Sequence, residues 1–160
     1  MRRIKLTVAY DGTNYCGWQI QPNGITIEEI LNKKLSALTK EDIRVIGASR
    51  TDSGVHALGN VAVFDTESTI PPERMALALN QKLPEDIVIV KSEEVPLSWH
   101  PRYQDHITKT YEYHIYNART ANPMKKRTST FVYVPLDVEK MRKGAAYLVG
   151  QHDFASFCCI

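Results

Sequence analysis

Residues 43–66 read Ile-Arg-Val-Ile-Gly-Ala-Ser-Arg-Thr-Asp-Ser-Gly-Val-His-Ala-Leu-Gly-Asn-Val-Ala-Val-Phe-Asp-Thr. Two β-branched, apolar runs, 43–48 and 60–66, bracket a loop that has Gly47 and Gly54 near its ends. That is the pattern of two consecutive strands presenting a loop between them. Upstream, Ile4, Leu6, Val8 and Tyr10 alternate with Lys5, Thr7 and Ala9, which predicts a strand over 3–10. Thr26 with Glu29 forms a capping box for a helix whose Ile27, Ile30, Leu31, Leu35 and Leu38 share a stripe. Downstream, Pro71-Pro72-Glu73 opens a helix with Met75, Leu79 and Leu83 that ends before Pro84, and Ile87-Val88-Ile89-Val90 is a fourth strand. The order β-α-β-β-α-β predicts an α+β fold: a ferredoxin-like unit, 1–98, with an antiparallel sheet and its helices on one face.

A second α+β unit is expected from 99 to 160. It has a strand over 108–117 with Tyr111, Tyr113 and Ile115 on one side, and a short strand at 131–134. A helix capped by Asp137 follows, with Val138, Met141, Ala145, Leu148 and Val149 inward and Gly150 just beyond. Phe154, Phe157, Cys158, Cys159 and Ile160 are residues of buried type at the chain's end, so this unit reads as incomplete and the chain as a fragment.

The 160 residues are 43% hydrophobic and 24% charged, ordinary for a folded domain, which excludes a disordered or low-complexity chain. No apolar run reaches the length of a membrane span, and Met1-Arg2-Arg3-Ile4-Lys5-Leu6 enters a strand pattern directly instead of a signal peptide. Three cysteines, two of them adjacent, are no disulfide framework, so a reducing cytoplasm is the expected location. Charge is uneven. Residues 65–94 are acidic, whereas 100–127 hold Arg102, Lys109, Arg119, Lys125, Lys126 and Arg127 against only Asp105 and Glu112. Tyr103, Tyr111, Tyr113 and Tyr116 lie among these cations. Cations for phosphates and rings for unstacked bases suit an RNA surface, and a solvated loop beside a tyrosine-rich strand explains the same residues equally well.

Within the loop, Arg50, Asp52 and His56 stand close in sequence. Thr51-Asp52-Ser53-Gly54 is also a good turn, in which an Asp bonds its own backbone, so a structural role for Asp52 competes with a chemical one. A hydrolytic pairing of Asp52 with His56 requires the two side chains to meet. Trp18, with Gln19 and Gln21, offers a ring and amides for a base, although packing over the sheet edge suits it better. The chain has no phosphate-loop or dinucleotide fingerprint, no Cys-x-x-Cys and no metal-ligand spacing among its five His, so neither a nucleotide cofactor nor a metal is expected.

Tyr10-Asp11-Gly12 with Tyr15 and Gly17-Trp18-Gln19, then 49–57 (Ser-Arg-Thr-Asp-Ser-Gly-Val-His-Ala), then Lys109-Thr110-Tyr111-Glu112-Tyr113, and finally His152-Asp153-Phe154, resemble in order the motifs of the tRNA pseudouridine synthase A family. The resemblance implies isomerisation of uridine to pseudouridine at positions 38–40 of the tRNA anticodon stem-loop, without a cofactor. It implies that Asp52 is the nucleophile, that Tyr111 lies against the target base, and that Arg50 helps hold that base out of the helix. It also implies a homodimer, with the site in a cleft between two halves of a pseudo-repeated sheet. Arg102, Lys109, Arg119, Lys125, Lys126 and Arg127 would then serve the RNA. The family's cation that pairs with the catalytic Asp would fall beyond Ile160, so the 160 residues alone are expected to be inactive. A catalytically silent RNA-binding domain is the alternative.

Overall fold

Ile4, Leu6, Val8 and Tyr10 are all buried while the residues between them are only partly covered, so the alternation in sequence is an alternation of faces. They belong to β1 (Arg2–Tyr10) in a computed structural model that describes residues 1–103 and 108–157. The chain continues through α1 (Ile27–Thr39), β2 (Ile46–Gly47), β3 (Ala57–Thr66), α2 (Pro72–Asn80) and β4 (Ile87–Val95). These strands form one sheet in the order β2-β3-β1-β4, with every pair antiparallel. The fold class is α+β. Ile27, Leu31 and Leu35 of α1 and Met75, Ala76 and Leu79 of α2 join the even residues of β1, with Phe64, Ile87 and Ile89, in a single core. Both helices therefore cover the same face.

The helix starts follow the sequence. Thr26 accepts from Glu29 N–H at 3.3 Å, and Pro72 opens α2. The strand lengths differ from expectation for local reasons. β2 is only Ile46–Gly47, because Asn32 and Ser36 of α1 accept the backbone N–H of Val45 (2.8 Å) and Ile43 (2.9 Å), which tethers 43–45 to the helix instead of to a ladder. β4 runs on to Val95, because its charged second half pairs with β1: Lys5 bonds Glu93 at 2.9 Å.

The other face of the sheet is charged. Arg3 grips Asp65 with two hydrogen bonds, 2.7 and 2.8 Å, which hold the Asp65 carboxyl below its ordinary range. Residues 96–103 carry the chain from β4 past β1 to β2. Trp99 accepts from Arg3 at 2.8 Å through its carbonyl and lies under the Lys5 ammonium, while Arg102 Nε donates to Gly47 O at 2.8 Å. The first compact unit runs Met1–Lys109.

The second unit, Thr110–Ile160, is small. β5 (Ile115–Asn117) pairs in parallel with β6 (Thr130–Val132), and α3 (Val138–Ala146) is capped by Asp137, whose carboxylate accepts from Lys140 N–H at 3.0 Å. Of the strand expected over 108–117, only the last three residues join a ladder. Tyr111, Tyr113, Phe154 and Phe157 are exposed. Asp105 and His106 of the basic stretch, and Cys158, Cys159 and Ile160, lie outside the described residues. No helix among the described residues is long and apolar enough to cross a membrane.

Candidate active-site loop

The loop between β2 and β3 is tied at its start to β3. Ala48 N–H donates to Val61 O (2.7 Å) and the Asn60 amide to Ser49 O (3.1 Å). Its middle lies against the segment that leaves β1. Tyr10 and Thr51 share a hydroxyl hydrogen bond of 2.7 Å, and Trp18 N–H donates to Thr51 O at 3.0 Å. Tyr15 O accepts from Gly54 N–H and from the Ser53 hydroxyl, each at 3.2 Å. Gly12 N–H donates to His56 Nδ1 at 3.1 Å, and Asp11 Oδ1 lies 3.0 Å from that same nitrogen.

Two glycines make this contact possible. A Cβ on Gly12 would fall 2.1 Å from Val55 O, and one on Gly17 would fall 2.4 Å from Thr51 O. Gly17 also has φ of +80°. The segment is anchored in turn from the far side. Tyr15 hydroxyl donates to Asp86 at 2.5 Å and Asp11 N–H to Asp86 O at 2.9 Å. Burial and then the Asp86 carboxylate push the Tyr15 phenol up, so it remains protonated as the donor.

What the loop leaves free is the Asp52 side chain. Three other aspartates act as local caps. Asp11 accepts from Thr13 N–H, Asp137 from Lys140 N–H, and Asp153 from Ala155 N–H. Asp52 does not. Its backbone oxygen accepts from Val55 N–H at 3.2 Å, and its exposed carboxylate has no hydrogen bond or ion pair among the described residues. The turn is thus closed by backbone, and the Asp52–His56 dyad that hydrolysis would need is not formed. Arg50 is exposed on the same loop.

Trp18 is 1% exposed, its ring 6.0 Å from that of Tyr10, so it is a packed residue and not an open stacking platform. Tyr111 is 74% exposed in the second unit. Arg119, Lys125, Lys126 and Arg127 are exposed there too, the last three at or just after a tight turn, Pro123–Lys125, that Asn122 caps at 2.9 Å. Arg102 and Lys109 belong to the first unit. No group of three or more His, Cys, Asp or Glu among the described residues is placed to hold a metal ion. Sequence reasoning missed Asp86, which carries no local signal, and missed the fit of Gly12 and Gly17 to the loop.

A family model described as tRNA pseudouridine synthase matches residues 6–104, the span that contains the loop and everything that pins it. The chain belongs to the tRNA pseudouridine synthase family. Over 157 residues it is 50% identical to tRNA pseudouridine synthase A of Ruminiclostridium cellulolyticum, covering 98% of this chain and 64% of that protein. It is 48% identical to the protein of that name from Exiguobacterium sibiricum, covering 99% of this chain and 62% of the relative. A third relative, tRNA pseudouridine synthase A 2 of Clostridium perfringens, is 47% identical. This member of the family therefore spans less than two thirds of the length of the relatives it matches.

Proposed function

We propose that this chain carries the nucleophile half of a cytoplasmic, homodimeric tRNA pseudouridine synthase that isomerises uridine at positions 38–40 of the anticodon stem-loop. The observation that carries the reading is the Asp52 carboxylate, exposed and unspent on a loop whose backbone is bonded on both sides of it. Isomerisation breaks C1′–N1, turns the base and forms C1′–C5. A carboxylate fixed beside the sugar serves it either by bonding to C1′ or by stabilising the positive charge that develops there. The target atom is out of reach inside a stacked stem, so the uridine must be flipped out, at a cost of a few kcal/mol. Arg50, two residues from Asp52, helps hold that base out of the helix. Tyr111 stacks on the flipped ring, a contact worth about 1–3 kcal/mol. Arg102, Lys109, Arg119, Lys125, Lys126 and Arg127 meet backbone phosphates.

No cation among the described residues pairs with Asp52, so the 160 residues alone are expected to turn over negligibly. Tritium release from tRNA containing 5-tritiated uridine tests the reading. This chain extended by the remaining third of the Ruminiclostridium cellulolyticum relative should release tritium, and Asp52→Asn in the extended form should abolish release while tRNA binding persists. An extended form that binds tRNA and releases nothing would establish the silent RNA-binding domain instead.

A further inference from the structure

Arg50 and Arg102 are 52 positions apart in sequence, yet they line one notch of about 170 Å³ on the first unit, beside the Asp52 loop. Its wall is preformed. Trp18 is fully packed there, and Gly47 leaves no room for a side chain, since a Cβ would fall 2.4 Å from the indole nitrogen. Arg102 is fixed by its Nε, which donates to Gly47 O at 2.8 Å. That bond leaves both terminal nitrogens of the guanidinium without a partner among the described residues. Arg50 likewise has no partner among them. One carboxylate, Glu28, also lines the notch, with Oε2 accepting from Ile20 N–H at 3.1 Å, so the two guanidiniums leave a net positive charge. A planar fork with one nitrogen already anchored is oriented to give two parallel hydrogen bonds to a phosphate or carboxylate.

We propose that Arg50 and Arg102 form one binding site for a single backbone phosphate of the RNA strand that carries the target uridine. The inference rests on the function proposed above and makes it more specific: the notch fixes the register of the strand so that the adjacent nucleotide falls at Asp52. A phosphate contact of this kind positions the RNA without reading its sequence.

The test is binding of the 160-residue chain to an unmodified tRNA transcript between 50 and 200 mM salt. Arg102→Gln and Arg50→Gln should each weaken binding about tenfold. Each should flatten the salt dependence by about 0.7–0.9 in log–log slope, the loss of one phosphate contact. The double variant should flatten it no further than either single one, because both side chains serve the same phosphate. Arg102→Lys should retain the slope but lose affinity, since lysine keeps the charge and lacks the fork. A stem-loop with one methylphosphonate beside the uridine removes the same charge from the RNA side, and Arg102→Gln should be indifferent to it. The unaltered chain should lose about tenfold in affinity for that stem-loop, a reading that does not depend on how the variants fold.

Additive slopes in the double variant, or an Arg102→Gln slope equal to that of the parent, would overturn the proposal while leaving the synthase reading intact. Binding of inorganic phosphate that Arg102→Gln abolishes, with RNA affinity unchanged, would assign the notch to a free anion and also overturn it. A parent chain that binds no tRNA would overturn the proposal, while the synthase reading is decided by tritium release from the extended form.

Discussion

Gly17 and Gly54 have nearly the same backbone, φ of +80° and +78°, but opposite surroundings. A Cβ on Gly54 meets nothing within 4 Å, whereas one on Gly17 meets the backbone oxygen of Thr51 at 2.4 Å. Alanine at either site carries the left-handed penalty of about 1–2 kcal/mol, offset by about 0.4–1 kcal/mol from a less flexible unfolded chain. Gly54→Ala should therefore cost between about zero and about 1.6 kcal/mol. Gly17→Ala adds overpacking against a backbone that has no side chain to swing away, about 1–3 kcal/mol. It also displaces the carbonyl that accepts from Trp18 N–H at 3.0 Å, about 1 kcal/mol more. The difference between the two variants should thus be about 2–4 kcal/mol.

Urea unfolding followed by tryptophan fluorescence measures it, because Trp18 sits beside Gly17 in the core. The midpoint of Gly17→Ala should fall on the order of 1–2 M below that of Gly54→Ala. Midpoints that coincide would mean that the 11–18 segment and the Asp52 loop are not in contact, and the account of how the loop is held would be wrong.

Two further outcomes are expected. Tyr15→Phe removes a hydrogen bond to a carboxylate and should cost about 1.5–3 kcal/mol, with Asp86→Asn non-additive in the double variant; urea unfolding of the four proteins that shows full additivity would refute the clamp. Asp65 is held below its ordinary carboxyl range by Arg3, so its stabilisation is present above about pH 4 and disappears as pH falls through the lower folded value. Asp65→Asn should cost about 1 kcal/mol at pH 7 and progressively less toward pH 2, and a cost independent of pH would contradict the ion pair.

Legibility in the sequence followed the range of the interaction. The faces of β1, the Thr26 cap and the Pro72 start are set by neighbours a few residues away, and all three were read correctly. β2 is shorter than its β-branched sequence indicates, because side chains of α1 reach across to take the N–H groups of Ile43 and Val45 just before it. Ser92 shows a similar long-range effect: its hydroxyl accepts from Ala76 N–H at 2.8 Å and donates to Pro72 O at 2.6 Å, so a polar residue of β4 is buried inside the first turns of α2. The clamp on the loop joins Tyr15 to Asp86 across 71 positions, and no local pattern marks such a pair. Gly12 and Gly17 were visible as turn residues, but their use in close approach depends on where the second backbone lies.

The motif at 10–19 and the motif at 49–57 are therefore one structure. Neither Tyr10, Gly12, Tyr15 nor Gly17 supplies a group that a substrate would meet; each meets the loop instead. The result is a division of labour within a few residues. Thr51 O, Asp52 O and Gly54 N–H are all bonded to backbone, and Thr51 and Ser53 spend their hydroxyls on Tyr10 and on Tyr15 O. A turn with a structural aspartate would have used the carboxylate for one of those bonds, as Asp11 does with Thr13. Here the surrounding chain makes every such bond redundant. The backbone on both sides of Asp52 is thus bonded while its exposed carboxylate, among the described residues, is not, and that contrast is what the function proposed above draws on.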